Sequence, residues 1–198
     1  MGLELNYING QTPLDEDEKD GLLKKTISTR GDLDEFEQLN IDEASIWLLK
    51  TKLDVDKILS EEFIKELHSK MFGNVWSWAG SFRNSNKNIG VDKFEIPIHL
   101  RNLLDDTKYW IDNKTFSEDE IVIRFSHRLV QIHLFPNGNG RHSRLIADVL
   151  ISKGFNKKEF TWGSANLNSA GTARLTYLTA LRNADEGNFA DLIQFARS

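Results

Sequence analysis

Along most of this chain apolar residues return at steps of three and four, the spacing that lines one face of an α-helix. Between Asp32 and Lys50 they are Leu33, Phe36, Ala44, Trp47 and Leu48. Ser60 is placed to cap a second helix, with Glu61 and Glu62 in its first turn and Phe63, Leu67 and Met71 facing inward until Gly73. Pro97 can open a third, whose inner face is Leu100, Leu103, Leu104 and Ile111. Ser117-x-x-Glu120 reads as a capping box for a fourth, burying Ile121, Phe125, Leu129 and Ile132. Two more helices run from about Arg141 to Lys153, ending at Gly154, and from about Thr172 to Ala184, before Glu186-Gly187. The pattern breaks between Trp76 and Ile96. Trp76, Trp78, Ala79 and Gly80 lead there into Arg83-Asn84-Ser85-Asn86-Lys87-Asn88-Ile89-Gly90, too rich in Asn and Gly for a helix. That stretch predicts a flexible β-hairpin. With no internal repeat or low-complexity stretch, the expected fold is mainly helical (all-α): a compact bundle with one small hairpin.

The first 31 residues are the least core-like part, with an acidic run from Asp15 to Asp20 after Thr12-Pro13, which predicts a solvated helical arm. A length of 198 residues, 39% of them apolar, suits one globular core. The absence of cysteine excludes disulfides, a thiolate nucleophile and cysteine-held metal centres. No basic and apolar N-terminal signal is present, and no run approaches the roughly 20 apolar residues that span a bilayer. A soluble cytoplasmic protein is therefore expected, without a membrane partner. A net charge of -5 argues against nucleic acid as the main partner. It leaves room for a local basic pocket that holds a small anion.

The candidate chemistry lies in His133-Leu134-Phe135-Pro136-Asn137-Gly138-Asn139-Gly140-Arg141-His142-Ser143-Arg144, between two amphipathic helices. Glycines beside a helix N-terminus let a ligand approach bare N–H groups, and the helix dipole favours an anion. Arg141 and Arg144, three apart, share one side of the first turn, and their guanidinium forks match phosphate oxygens. Cations there oppose the dipole by roughly 0.3–1 kcal/mol each, which an anion between them and the backbone would explain. His133 is the natural general base for an attacking hydroxyl. Phe135 reads as an anchor that turns the loop inward, and His142, His68, His99 and His127 as structural.

This segment resembles the signature of the Fic/Doc family: a histidine, any residue, phenylalanine, any residue, an acid, then Gly-Asn-Gly-Arg, two free positions and arginine. The resemblance covers roughly residues 60–195 and includes Trp76-x-Trp78-Ala79-Gly80-x-Phe82-Arg83 and the turn ending in Ile89-Gly90. The chain is most similar to small single-domain members labelled mobile mystery protein B, whose terminal helix Tyr177-x-x-Ala180-Leu181-Arg182-x-Ala184-Asp185 and Phe195 resemble. The resemblance implies a catalytic domain at 60–198, behind an N-terminal arm and helix at 1–59 that would regulate it. It implies AMPylation: transfer of AMP from ATP, with Mg2+, to a Ser, Thr or Tyr hydroxyl of a target protein. In that scheme His133 deprotonates the hydroxyl, and Gly138, Asn139 and Gly140 hold the α-phosphate. Arg141 grips the phosphates and Arg144 takes the γ-phosphate. Lys87, Asn88, Ile89 and Gly90 form a flap that docks the target backbone.

Position 137 departs from the pattern, with Asn where the family's metal-ligating acid stands. An amide oxygen offers a lone pair without the charge, so weaker metal binding is expected. The departure also leaves open a transfer of phosphate or UMP, removal of AMP, or a catalytically weak nucleotide-binding regulator. No strict match to the family's inhibitory helix motif exists. Glu37 or Glu35, on the helix before the catalytic region, is the candidate to block Arg144. A regulatory partner protein, such as a DNA-binding regulator encoded nearby, is a further expectation of the resemblance.

Overall fold

The computed structural model describes residues 12–164 and 171–198. Its helices are α1 (Glu16–Lys19), α2 (Arg30–Lys50), α3 (Val55–Ile58), α4 (Glu61–Phe72), α5 (Ile96–Asn113), α6 (Glu118–Ile132), α7 (Asn139–Val149), α8 (Thr172–Asp185) and α9 (Ala190–Arg197). The capping chemistry works as the sequence suggests: Ser60 Oγ accepts from Phe63 N–H and Ser117 Oγ from Glu120 N–H. A turn of π-helix, Leu150–Gly154, continues α7 to the glycine expected to end it.

α6 is the centre of the bundle. Ile121, Val122, Ile123, Phe125, Leu129 and Ile132 are all buried, more than one stripe can account for, because α5, α7 and α9 surround it. α4 packs on α2 to one side and on α7 to the other, with Phe63, Ile64, Leu67, Met71 and Phe72 in the core. The outcome is that the loop between α6 and α7 is enclosed by the helices that carry most of the core.

Two expectations need correction. Residues 81–95 double back as expected but contain no strand, the described β-pairing being a single antiparallel bridge, Leu22 with Trp76. Side chains close the turn instead: Asn86 Nδ2 donates to Asp92 Oδ2 at 2.8 Å, Asn86 Oδ1 accepts from Lys93 N–H at 2.8 Å, and Arg83 Nη1 donates to the Ser85 carbonyl at 2.7 Å. The arm after Thr12 is only partly as expected: Asp15, Glu16, Asp17 and Asp20 are exposed, but Glu18 is not. Glu18 is buried and takes hydrogen bonds from Ser85 Oγ (3.0 Å) and Lys87 Nζ (2.5 Å), while its own carbonyl accepts from Trp78 Nε1 (2.9 Å). Charge pairing with the flap outweighs the hydration that an acidic run would otherwise seek, because Lys87 also reaches Asp15 (2.8 Å).

Candidate active site

The loop from His133 to Gly138 is bound by its neighbours rather than by itself. His133 caps α6 in the left-handed region (φ 58°), a conformation that disfavours a residue with a Cβ. Arg83 helps hold it there: its Nε donates to the His133 carbonyl at 2.7 Å, and its Nη2 reaches the Val91 carbonyl. Gly90 packs so closely that a Cβ would come within 2.7 Å of the His133 Cβ. Further on, the Gly80 N–H donates to His68 Nδ1 at 3.0 Å, so the ring proton is on Nε2, which donates to the Asn137 carbonyl at 3.0 Å. His68 also stacks on Phe135 at 3.7 Å between ring centroids. The inward anchor expected at Phe135 is therefore present, fully buried.

Several assigned residues turn out to hold the loop. Both ends of the Asn139 amide bond the Phe135 backbone, Oδ1 accepting from its N–H at 2.9 Å and Nδ2 donating to its carbonyl at 2.7 Å. Its side chain is thus a brace and leaves only its backbone to face an anion. Gly138, at φ 79°, lies against Phe72, whose ring a Cβ would meet at 2.6 Å. Gly140 differs: a Cβ there would find only Arg144 Nη1, at 3.7 Å. Nothing in the fold demands glycine at that helical position, where alanine costs less. The space it leaves belongs to the cavity.

That cavity, about 140 Å³, is lined by His133, Asn137, Gly138, Asn139, Gly140, Arg141 and Arg144, joined by Ile89 from the flap and Thr12 from the arm. Tyr177, Leu178, Leu181 and Val130 supply its apolar wall. Both His133 ring nitrogens are buried without a hydrogen-bond partner among the described residues. Burial first, then the charges of Arg83 and Lys87, lowers the His133 pKa to about 4, so the imidazole is neutral and its lone pair available near pH 7.

The acids fall differently from expectation. Glu37 is fully buried, accepts from Trp76 Nε1 at 2.6 Å and places Oε2 2.7 Å from Arg141 Nη2. That contact is an ion pair off the hydrogen-bonding direction, since Oε2 has no aligned donor. It engages Arg141, not Arg144, which lies over the Tyr177 ring. Glu35 is exposed on the outer side of α2 and meets neither arginine. The flap is likewise only partly as expected. Lys87 is occupied by the arm, whereas Asn88, Ile89 and Gly90 are exposed.

Magnesium fits this wall poorly. It is usually held through one or two carboxylates plus phosphate oxygens and water, and no carboxylate lines the cavity among the described residues. Asn137 Oδ1 is already turned onto the Gly138 N–H at 2.6 Å. Among the described residues no group of three or more His, Cys, Asp or Glu could hold a metal ion. No described helix is long and apolar enough to cross a membrane.

Two residues that hold the loop, and one with a shifted pKa, had no such role in the sequence reading. Arg83 was visible within its aromatic motif but without a role. His68 carries no local signal, since its partners Gly80 and Asn137 are distant along the chain. Asp148 is pushed up to about 7, mainly by burial, although Trp162 Nε1 donates to it at 3.0 Å. The other histidines are structural as expected: His142 Nε2 bonds the Ile64 carbonyl (3.0 Å), His127 bonds Asp185 (2.8 Å) and His99 lies near Arg128.

Comparison with known proteins finds likenesses to one family. Residues 58–151 match the family described as Fic/DOC. A "Protein adenylyltransferase Fic" from Aedes aegypti is 28% identical over 121 residues, 59% of this chain and 24% of its own length. One from Nematostella vectensis is 25% identical over 66% of this chain and 31% of its own length. The chain thus spans about a quarter to a third of the curated relatives it matches. Among solved structures, Fic-1 from C. elegans superposes with a TM-score of 0.64 at 20% identity, covering 81% of this chain and 47% of that one. BepC from Bartonella tribocorum, solved with bound AMPPNP, gives 0.65 at 17% identity over 92% and 97%.

The buried histidines make stability depend on pH. His142, fully buried, has its pKa lowered to about 4 by burial. Unfolded chains bind its proton from about pH 6.5 downward while the folded protein refuses it until about pH 4, so stability falls as pH falls through that window. His142→Gln is expected to lose roughly 2–3 kcal/mol of the wild-type decline between pH 7.5 and 4.5, whatever its offset at pH 7.5. Urea unfolding at both pH values measures this; parallel declines in the two proteins would refute it.

Proposed function

We propose, from the match of residues 58–151 to the Fic/DOC family, that the chain is a protein adenylyltransferase, moving AMP from ATP to a Ser, Thr or Tyr hydroxyl of a target protein. The observation that carries the reading is a neutral, unpartnered imidazole facing the same cavity as the open space at Gly140 and two guanidinium groups. A general base needs a free lone pair, and a phosphate needs room against bare amides; each is present and neither has a structural use. The names of the insect and sea-anemone relatives point the same way.

In this scheme the target lies along the flap at Asn88 and Ile89, with Lys87 anchoring the flap to the arm instead of clamping the target. The target hydroxyl attacks the α-phosphorus and gives its proton to His133, while the bond to the β-phosphate oxygen breaks and pyrophosphate leaves. Backbone N–H groups at Gly138, Asn139 and Gly140 receive the charge on the α-phosphate, and Arg141 and Arg144 that of the leaving group. Such reactions depend chiefly on positioning and on neutralising charge. A triphosphate beside His133 offsets the lowering by Arg83 and Lys87, and so raises its basicity when it is needed.

Glu37 restrains Arg141 in this reading. It holds a phosphate-gripping guanidinium from behind, which assigns residues 1–59 a regulatory part and 60–198 the catalytic one.

With labelled ATP and a cell lysate, wild type is expected to label proteins and His133→Ala to lose at least about 100-fold of that rate. Equal labelling by both would remove His133 from the mechanism, and intact mass of the product separates adenylyl from uridylyl or phosphoryl addition. Gly140→Ala should keep or raise thermal stability, by up to about 1 kcal/mol, yet weaken ATP binding at least about tenfold; unchanged binding in calorimetry would show that no ligand uses that space. Glu37→Gln keeps the Trp76 bond and removes the charge. It should cost about 1–3 kcal/mol, less than a fully buried pair because Arg141 borders the cavity, while labelling rises several-fold; lower or unchanged labelling would rule out a restraining role.

A further inference from the structure

Two arginines outside the His133–Arg144 segment reach the cavity. Arg30 is the first residue of α2 and Arg174 lies in the first turn of α8, and both line the wall with Arg141 and Arg144 of α7. The first turns of three separate helices thus bring arginines to one cavity whose described lining contains no Asp or Glu. Helix N-termini are where cations are least favourable, because the positive end of the dipole lies there. Arg174 has its pKa lowered by burial and then by Arg144, with Arg30 adding to the effect, so these guanidinium groups are within electrostatic reach of one another.

The described acids that meet these arginines are not among the cavity's lining residues, and neither is Asp148, whose charged form Arg144 favours. Asp34 holds Arg30 Nε at 2.8 Å and Glu37 meets Arg141 from α2. Facing the same space is His133, whose buried ring nitrogens have no well-aligned hydrogen-bond partner among the described residues. Positive charge drawn together from distant parts of the chain, beside an unsatisfied imidazole, implies a ligand of several negative charges. In most phosphoryl-transfer sites a divalent cation bridges and neutralises the phosphates. Here the amide at 137 is spent on Gly138, and none of the described residues lining the cavity offers a carboxylate to hold such an ion.

We infer that Arg30 and Arg174 do the cation's work: they bind the terminal phosphates of the nucleoside triphosphate, and triphosphate binding by this protein does not require a divalent metal. The inference rests on the nucleotide reading above and extends it to two residues outside the signature. Arg144 is beside the cradle, its Nη1 3.7 Å from where a Cβ of Gly140 would stand, and its charge lowers the Arg174 pKa; on this basis Arg30 and Arg174 are assigned to the β- and γ-phosphates and not to the nucleoside monophosphate portion. Guanidinium is suited to the role, since its planar fork meets two phosphate oxygens at once.

Isothermal titration of the full chain with ATP and with AMP, each in EDTA and in magnesium, tests this. ATP affinity should differ by less than about threefold between the two buffers. Arg30→Gln and Arg174→Gln should each weaken ATP about tenfold or more and AMP by less than about twofold, with Arg174→Lys recovering part of the loss. Circular dichroism of each variant confirms that it is folded. ATP binding that appears only with magnesium, or Gln variants that weaken ATP and AMP equally, would overturn the inference while leaving the nucleotide reading in place. No binding of ATP in either buffer would remove that reading, and this inference with it.

Discussion

His68 makes the same loop rigid from one side that Arg83 holds from the other, and the cavity exists because both succeed. The His68 ring accepts from Gly80 and donates to the Asn137 carbonyl, which only its neutral form with the proton on Nε2 can do. Burial keeps it neutral, its pKa pushed well below the usual histidine value. Arg83 ties the His133 carbonyl to the flap, and Asn139 ties the end of the loop back to Phe135. A loop with two residues at positive φ would otherwise sample many conformations. Bonds to distant residues convert it into a fixed surface, and preorganised dipoles are worth most when they need not reorganise.

The electrostatics follow from that rigidity. Enclosure strips water from His133 and leaves its lone pairs unused, while cationic groups gather on one side and their acidic partners remain outside the cavity. Such an arrangement is costly in the empty protein, and an anion relieves it. Glu37 supplies a partial substitute. It reaches one arginine from the far side of the wall, anchored by Trp76, so that the helix carrying it is joined to the site by charge as well as by packing.

Much of this was legible in the residues. The helical face from Phe63 to Met71, the caps at Ser60 and Ser117 and the inward stripe of α6 all depend on neighbours within a turn or two, and each formed as expected. The flap and the arm did not, and for one reason. Asn86, Asp92, Asp15, Glu18 and Lys87 satisfy one another through side chains that no local periodicity encodes, so a predicted hairpin became a side-chain clasp and one acid of a predicted solvated helix, Glu18, became buried in an ion pair. The site shows the same division. His133, Gly138, Gly140 and Arg144 are consecutive enough to be read as one signature, whereas the partner of Glu37 depended on how α2 packs on α4, which also contacts α7.

By itself the sequence determined most of the helices, their order, and a contiguous segment that sets a histidine, glycines and two arginines around a helix N-terminus, because those properties reside in spacing and side-chain chemistry within a few residues. Tertiary structure alone decided which arginine Glu37 meets, that Asn139 braces instead of grips, that His68 and Arg83 govern the loop, and that Arg30 and Arg174 join the cavity. Those outcomes depend on which surfaces come together when the core closes, and burial, unlike periodicity, is a property of the whole chain.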